Sequence, residues 1–205
     1  LVSTKLLSRT EGISGNELFQ KYTGLIQQEA TRLKNQVERV LQVTADDTKQ
    51  TKFKMETINL QDCVDEAMNG VEVLLHEKEG SIEKKFNATK TIVNGDYLHL
   101  TNAIYNLLDN ALKYSKEKPH IIIESMNKNN GIELSIIDNG IGIPKKHLKR
   151  IFSRFFRVPT GNVHDVKGFG LGLFYVQKVM SAHRVNIKAE SEENKGSNFI
   201  LWLPL

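Results

Sequence analysis

Three carboxamides, Asn102, Asn106 and Asn110, and one ammonium, Lys113, recur at i, i+4, i+8 and i+11. In a helix these four share one face. Asparagine is a poor helix former because its amide competes for the backbone, so a stripe of three needs a reason. One reason is a solvated face, or amides bonded to a neighbouring loop. Another is chemical: a carboxamide oxygen ligates a hard cation such as Mg²⁺ without adding charge, which suits a metal already bridged by phosphate oxygens. Lys113 would then supply a point charge to the same phosphates. Asp138 ends an apolar run and precedes Gly140 and Gly142. It reads as a turn residue closing a strand, or as an acceptor for an exocyclic amine beside glycines that let backbone approach a flat ring. Gly168-Phe169-Gly170-Leu171-Gly172-Leu173 leads straight into an apolar helical run. Free N–H groups at such a junction favour anions. The spacing is not the dinucleotide fingerprint, because the third glycine follows the second by two residues and no strand–helix–strand unit surrounds it. Together, in this order, the three motifs describe a pocket for a nucleotide whose phosphates sit against a helix and a glycine loop.

Elements must hold these groups in place. The amide stripe lies on a helix predicted over 96–114, with Leu98, Ala103, Ile104, Leu107, Leu108 and Ala111 as its apolar remainder and Asp96 at its N-terminus, where negative charge is favoured. Strands are expected over 53–59, 81–87, 91–94, 121–124 and 132–137, and a helix over 60–79. Asn127 to Gly131 reads as a hairpin connection, and a second hairpin turns at Asn194-Lys195-Gly196. Pro144 opens a short helix, and 174–180 forms another. The fold class that follows is α+β: a two-layer α/β sandwich, with a mixed, largely antiparallel sheet covered by helices on one face.

Upstream, Leu18, Tyr22, Leu25, Leu33, Val37, Val40 and Leu41 keep helical spacing from Asn16, a capping residue, to about residue 46. A helix of roughly 30 residues, about 45 Å long, cannot bury its stripe on a small neighbour. A helical hairpin paired across a two-fold axis would bury it as a four-helix bundle, as would a hairpin packed on its own domain. The expected domains are therefore 1–50, a partial helical hairpin, and 51–205, the domain with the pocket.

The gross numbers restrict the classes. The 205 residues, 40% hydrophobic and 25% charged, suit a globular domain with an appendage. A net charge of +4 without a clustered basic face speaks against nucleic-acid binding. Cys63 is the only cysteine, which precludes an intrachain disulfide, and its helical spacing with Val64 and Ala67 makes it a core residue. No apolar run approaches the roughly 20 residues that span a bilayer. The chain opens at Leu1-Val2-Ser3 without an initiator Met, and reads as a piece of something longer.

The motifs carry a resemblance. Asn106-Leu107-Leu108-Asp109-Asn110-Ala111-Leu112-Lys113-Tyr114 resembles an N box, Asp138 to Pro144 a G1 box, Ile151-Phe152-Ser153-Arg154-Phe155-Phe156-Arg157 an F box, and Gly168 to Leu173 a G2 box. Four boxes in order are similar to the catalytic core of the sensor histidine kinases of two-component systems, within the GHKL ATPase-kinase superfamily. The resemblance implies ATP and Mg²⁺ as cofactors. Asn106 would ligate the metal, with Asn110 beside it. Lys113 and Arg157 would contact phosphate and, with Asn106, serve catalysis. Tyr114 would pack near adenine, and Asp138 would bind the adenine amine within a loop of Gly140, Gly142 and Ile143. Gly168, Gly170, Leu171, Gly172 and Leu173 would form the phosphate-side lid and the helix behind it, with Arg157 to Lys167 as a loop ordered over ligand and Phe152, Phe155 and Phe156 anchoring it by burial. The reaction implied is transfer of the γ-phosphoryl to a histidine and thence to an aspartate of a response-regulator receiver domain.

One departure stands out. No histidine among the six has the His-Glu-basic-Thr-Pro context of an acceptor. His76 shares two letters of it, His99 suits packing or capping, and His120, His147, His164 and His183 look incidental. The acceptor is therefore expected upstream of Leu1, on the first helix of the hairpin. The resemblance further implies a homodimer through that hairpin and a bacterial inner-membrane sensor, anchored upstream, whose cytoplasmic part this is. The other readings are an ATP-hydrolysing switch of the same superfamily and a non-catalytic nucleotide-binding scaffold. Hydrolysis would need a carboxylate base four residues before Asn106. That position is Asn102, an amide that cannot usefully accept a proton.

Overall fold

A computed structural model describes residues 23, 26, 53–115, 117–159 and 169–205. The chain divides into two units, Leu1–Thr51 and Lys52–Leu205. The hairpin expected over 1–50 lies outside the described residues save Thr23 and Ile26, both helical. The loop expected over 157–167 lies outside them from residue 160 onward, and so does Gly168.

The second unit runs β1 (Glu56–Asn59), α1 (Leu60–Glu77), β2 (Ser81–Phe86), β3 (Ile92–Gly95), α2 (Tyr97–Lys113), β4 (His120–Lys128), β5 (Gly131–Asp138), a 3₁₀ turn (Lys145–His147), α3 (Gly172–Ala182), β6 (Ile187–Glu192) and β7 (Gly196–Pro204). Five strands form one sheet in the order β2-β4-β5-β7-β6. Only the β2–β4 pair is parallel; the other three are antiparallel. The α+β sandwich read from the sequence is the observed architecture. The strands at 56–59 and 92–95 stand apart from the main sheet as a separate antiparallel pair.

Period-two alternation decides which face is covered. Ile121 and Ile123 of β4, Ile132, Leu134 and Ile136 of β5, and Leu201 and Leu203 of β7 are buried. Against them pack Val64, Ala67 and Val71 of α1, Leu100, Ile104, Leu107 and Leu108 of α2, and Val176, Val179 and Met180 of α3, all in one cluster. Cys63 is fully buried there, and burial pushes its thiol up to about 11. Leu98 departs from the expected apolar face of α2: it is 64% exposed, because it lies one turn before Asn102 on the amide face and not on the face that meets the sheet. The β4–β5 hairpin closes through Asn129 and Asn130, both left-handed, as a two-residue turn with the right twist requires.

Candidate functional site

The amide stripe sits on the side of α2 away from the sheet. Asp96 caps that helix, its Oδ1 accepting the His99 N–H at 2.9 Å and its Oδ2 the Lys54 N–H at 2.7 Å. Burial of Leu100, Ile104, Leu107 and Leu108 turns Asn102, Asn106 and Asn110 outward, each half-buried. The Asn106 Nδ2 donates to the Asn102 carbonyl at 2.7 Å, so its own helix takes up the amide nitrogen. Its Oδ1 points the other way, at Gly172. A Cβ on Gly172 would stand 3.2 Å from that oxygen and 3.9 Å from Asn110 Nδ2. Gly172 is the first residue of α3, so the amides face the N-terminal end of a helix, where a positive partial charge gathers. Lys113 is ion-paired with Asp109 one turn back, and Asp109 is buried.

The other wall begins at Asp138, the last residue of β5 and 8% exposed. Its Oδ1 accepts from Gly140 N–H at 2.8 Å and from Ser197 N–H at 3.2 Å. Burial pushes the carboxyl up, and those two N–H groups pull it partly back. The glycines around it are obligatory. Gly142 is left-handed (φ 66°) and a Cβ there would lie 2.0 Å from the Glu192 carbonyl oxygen. Gly196 (φ 97°) would put a Cβ 1.9 Å from the Asp138 carbonyl oxygen. Tyr114 joins the two walls through its backbone: its N–H donates to Asn110 O at 2.9 Å and its carbonyl accepts the Ile141 N–H at 3.0 Å. Ile143 is held by its N–H, which donates to Ser191 Oγ at 2.8 Å. Ser191 in turn donates to the Gly196 carbonyl at 2.7 Å.

The glycine-rich segment is tied at its base. Gly170 is left-handed (φ 71°), and its carbonyl accepts from the N–H of Phe155, itself left-handed at φ 60°. Phe152 and Phe156 pack on the core as expected. Phe155 does not: it is 63% exposed, because its left-handed backbone turns it out of the cluster while its amide serves Gly170. Leu171 is buried and Leu173 packs on the core, so these two locate α3, while Gly172 faces Asn106 and Gly170 lies against the Phe155 and Phe156 backbone. Arg157 stands exposed on the stretch that leads to residue 160.

Sequence reasoning missed several groups. Asp109 was legible from its i, i+4 spacing to Lys113. Ser191 and Ser197 reach the Asp138 turn only through the pairing of β5, β7 and β6. His183, taken as incidental, is 6% exposed and bonded at both nitrogens, Nδ1 to Val179 O at 2.7 Å and Nε2 to the Asp96 N–H at 2.9 Å. It therefore locks the end of α3 to the cap of α2. His99 makes the capping and packing contacts expected of it, and its Nδ1 lies 2.7 Å from the Tyr175 hydroxyl. No sequence signal linked it to Tyr175.

The arrangement fits a nucleotide with a divalent cation. Among the described residues no three His, Cys, Asp or Glu side chains cluster to hold a metal, so a cation at Asn106 would draw most of its ligands from phosphate oxygens. The buried Asp138 supplies an acceptor for an amine, and the glycine backbone a close approach for a ring.

Comparison with known proteins points to a family. Residues 95–205 match the family described as histidine kinase-, DNA gyrase B-, and HSP90-like ATPase. The chain is 41% identical over 191 residues to the sensor protein RprX of Bacteroides fragilis, covering 92% of this chain and 37% of RprX. It is 29% identical over 207 residues to the sensor histidine kinase CusS of Escherichia coli K12, covering 98% of this chain and 42% of CusS. It thus spans about two fifths of those relatives. Among solved structures, the mycobacterial sensor histidine kinase MprB aligns with a TM-score of 0.62 at 28% identity, over 74% of this chain and 97% of that one. ShkA in complex with AMPPNP aligns with a TM-score of 0.80 at 19% identity, over 98% and 41%. Histidine kinase ThkA in complex with the response regulator TrrA aligns with a TM-score of 0.69 at 21% identity, over 99% and 56%.

Proposed function

The chain belongs to the family of histidine kinase-, DNA gyrase B- and HSP90-like ATPases, and we propose that it is the ATP-binding catalytic core of a two-component sensor histidine kinase. The observation that carries the reading is the Asn106 amide, with its nitrogen returned to α2 and its oxygen directed at the end of α3. The adenine amine would be held by Asp138, with the ring against Gly140, Gly142, Ile143 and Tyr114. The phosphates would lie between Asn106, Asn110 and Lys113 on one side and the Gly170, Leu171 and Gly172 backbone on the other, with Leu173 behind them. Arg157 and Gly168 would join from the intervening segment. Mg²⁺, held by Asn106 Oδ1 and phosphate oxygens, would neutralise charge on the transferring group. The protein's share is positioning: Lys113 exchanges Asp109 for phosphate, and the helix end orients the γ-phosphoryl for in-line attack.

The nucleophile would be a histidine that is not among the six of this chain, and the receiver domain of a response regulator would take the phosphoryl onward. Hydrolysis is disfavoured because Asn102, in place of a carboxylate, has its side chain against the Tyr175 hydroxyl. ShkA with AMPPNP and ThkA with TrrA support the cofactor and partner classes by analogy. The hairpin over residues 1–50 would make the homodimer. The full-length protein would be a bacterial inner-membrane sensor with this part in the cytoplasm; among the described residues no helix is long and apolar enough to cross a membrane.

The test is calorimetric titration with ATP, with and without Mg²⁺, followed by incubation with γ-labelled ATP. Wild type binds more tightly with Mg²⁺ and does not label itself. Asn106→Ala loses the Mg²⁺-dependent increment. An Asn106→Ala protein with the wild-type increment, or stable self-labelling of the 205 residues, refutes the assignment.

A further inference from the structure

One turn below the cleft, α2 and α3 are joined by a polar contact that none of the motifs contains. The Tyr175 hydroxyl lies 2.7 Å from His99 Nδ1, and the Asn102 side chain lies against it as well. Burial pushes the Tyr175 hydroxyl up to about 12, so it stays protonated and can donate. The positions matter. Tyr175 is three residues after Gly172, with its N–H bonded to Leu171 O at 2.9 Å. Asn102 is four residues before Asn106 and supplies the carbonyl that fixes the Asn106 amide. The hydroxyl therefore ties the two walls of the phosphate site to each other directly beneath the groups that face it. Phe53 closes the cluster, its ring 4.6 Å from that of His99.

We propose that Tyr175 is a positioning residue for metal-bound phosphate: through Asn102 and His99 it sets the gap between the Asn106 amide and the Gly172 end of α3. This rests on the assignment of Asn106 to the metal. The gap is narrow, since a Cβ at Gly172 would stand 3.2 Å from Asn106 Oδ1, close enough that the amide would have to give by a few tenths of an ångström. A small relaxation between the helices alters how a cation and its phosphates are gripped. It leaves the Asp138 end, which stands on β5 and β7, unchanged.

The experiment compares wild type, Tyr175→Phe and His99→Gln by titration with AMPPNP plus Mg²⁺ and with ADP in chelator, together with thermal unfolding. Loss of one neutral hydrogen bond predicts that Tyr175→Phe weakens AMPPNP–Mg²⁺ by about three- to tenfold. ADP without metal binds as in wild type. His99→Gln, whose amide can still accept from the hydroxyl, keeps most of the wild-type increment. An unaltered Mg²⁺ increment in Tyr175→Phe overturns the proposal. Equal weakening of both ligands does so too, because it reports general loosening. Wild type that binds neither ligand refutes the proposed function itself, which separates the two failures.

Discussion

The two ends of the cleft are built by different physics. At the Asp138 end, backbone does the holding: Gly142 and Gly196 sit where no side chain fits, and one buried carboxylate oxygen gathers N–H groups from β7 and from its own turn. At the Asn106 end, side chains do it: an amide bonded to its own helix, a lysine paired with an aspartate, and a tyrosine pinning one helix to another. Backbone geometry is all-or-none, because a glycine turn has no rotamer to change. Side-chain geometry can be retuned, because Lys113 can leave Asp109 and Asn106 can rotate. A rigid end suits a flat, invariant base. An adjustable end suits phosphates that change in number and charge during a transfer.

The sharpest way to break this contrast is one methyl at each end. Gly196→Ala combines a left-handed backbone with a Cβ 1.9 Å from the Asp138 carbonyl oxygen. The expected cost is about 3–4 kcal/mol in denaturant unfolding, enough to unfold a marginal domain. Gly172→Ala meets only the movable Asn106 Oδ1 at 3.2 Å. Alanine is the better helix residue, so stability should shift by less than about 1 kcal/mol, while Mg²⁺-dependent nucleotide binding falls. Equal destabilisation by the two alanines would erase the distinction between a backbone-built and a side-chain-built end.

The next effect separates recognition from stability at the Asp138 end itself. Burial raises the Asp138 carboxyl in the fold. For an acid with a raised folded pKa, the charged form is a cost above that pKa, and the cost disappears as pH falls through it. Asp138→Asn removes the charge and keeps an oxygen for the Gly140 and Ser197 N–H groups. At neutral pH it should be as stable as wild type or more so, and its advantage should shrink toward acid. Its NH₂ would oppose the adenine amine, so affinity should fall by about tenfold or more, with and without Mg²⁺. A destabilised variant that still binds would mean that Asp138 braces the turn and does not read the base.

How much of this was legible follows the same divide. The amide stripe could be read because the helical period alone places Asn102, Asn106, Asn110 and Lys113 on one face. Asp138 could be read because its glycines are local. The sandwich could be read from alternating strands and two hairpin turns. Ser197 could not: it meets Asp138 only because β5 and β7 pair in one register, 59 residues apart in sequence. Tyr175 could not either, since its partner lies 76 residues away on another helix and its apolar neighbours read as ordinary core. Phe155 was misread because spacing gives no sign of a left-handed backbone.

The smallest effect concerns the pin between the helices. Burial lowers the pKa of His99, with Asp96 opposing the shift and His183 adding to it. For a base with a lowered folded pKa, the unfolded chain takes the proton more readily. The stability linked to His99 is thus present above its ordinary value of 6.5 and is lost as pH falls through the lower value it has in the fold. A protonated Nδ1 can no longer accept from the Tyr175 hydroxyl, so the Mg²⁺-dependent part of nucleotide binding should weaken over the same interval. Binding at the Asp138 end should change less there, because among the described residues that carboxylate is bonded to backbone N–H groups and to no histidine. Comparing wild type with His99→Gln across pH 5–8 isolates the effect, since glutamine cannot take up the proton. If both proteins lose the Mg²⁺ increment in parallel, acid acts elsewhere on the phosphate end and the adjustability assigned to this pin is wrong.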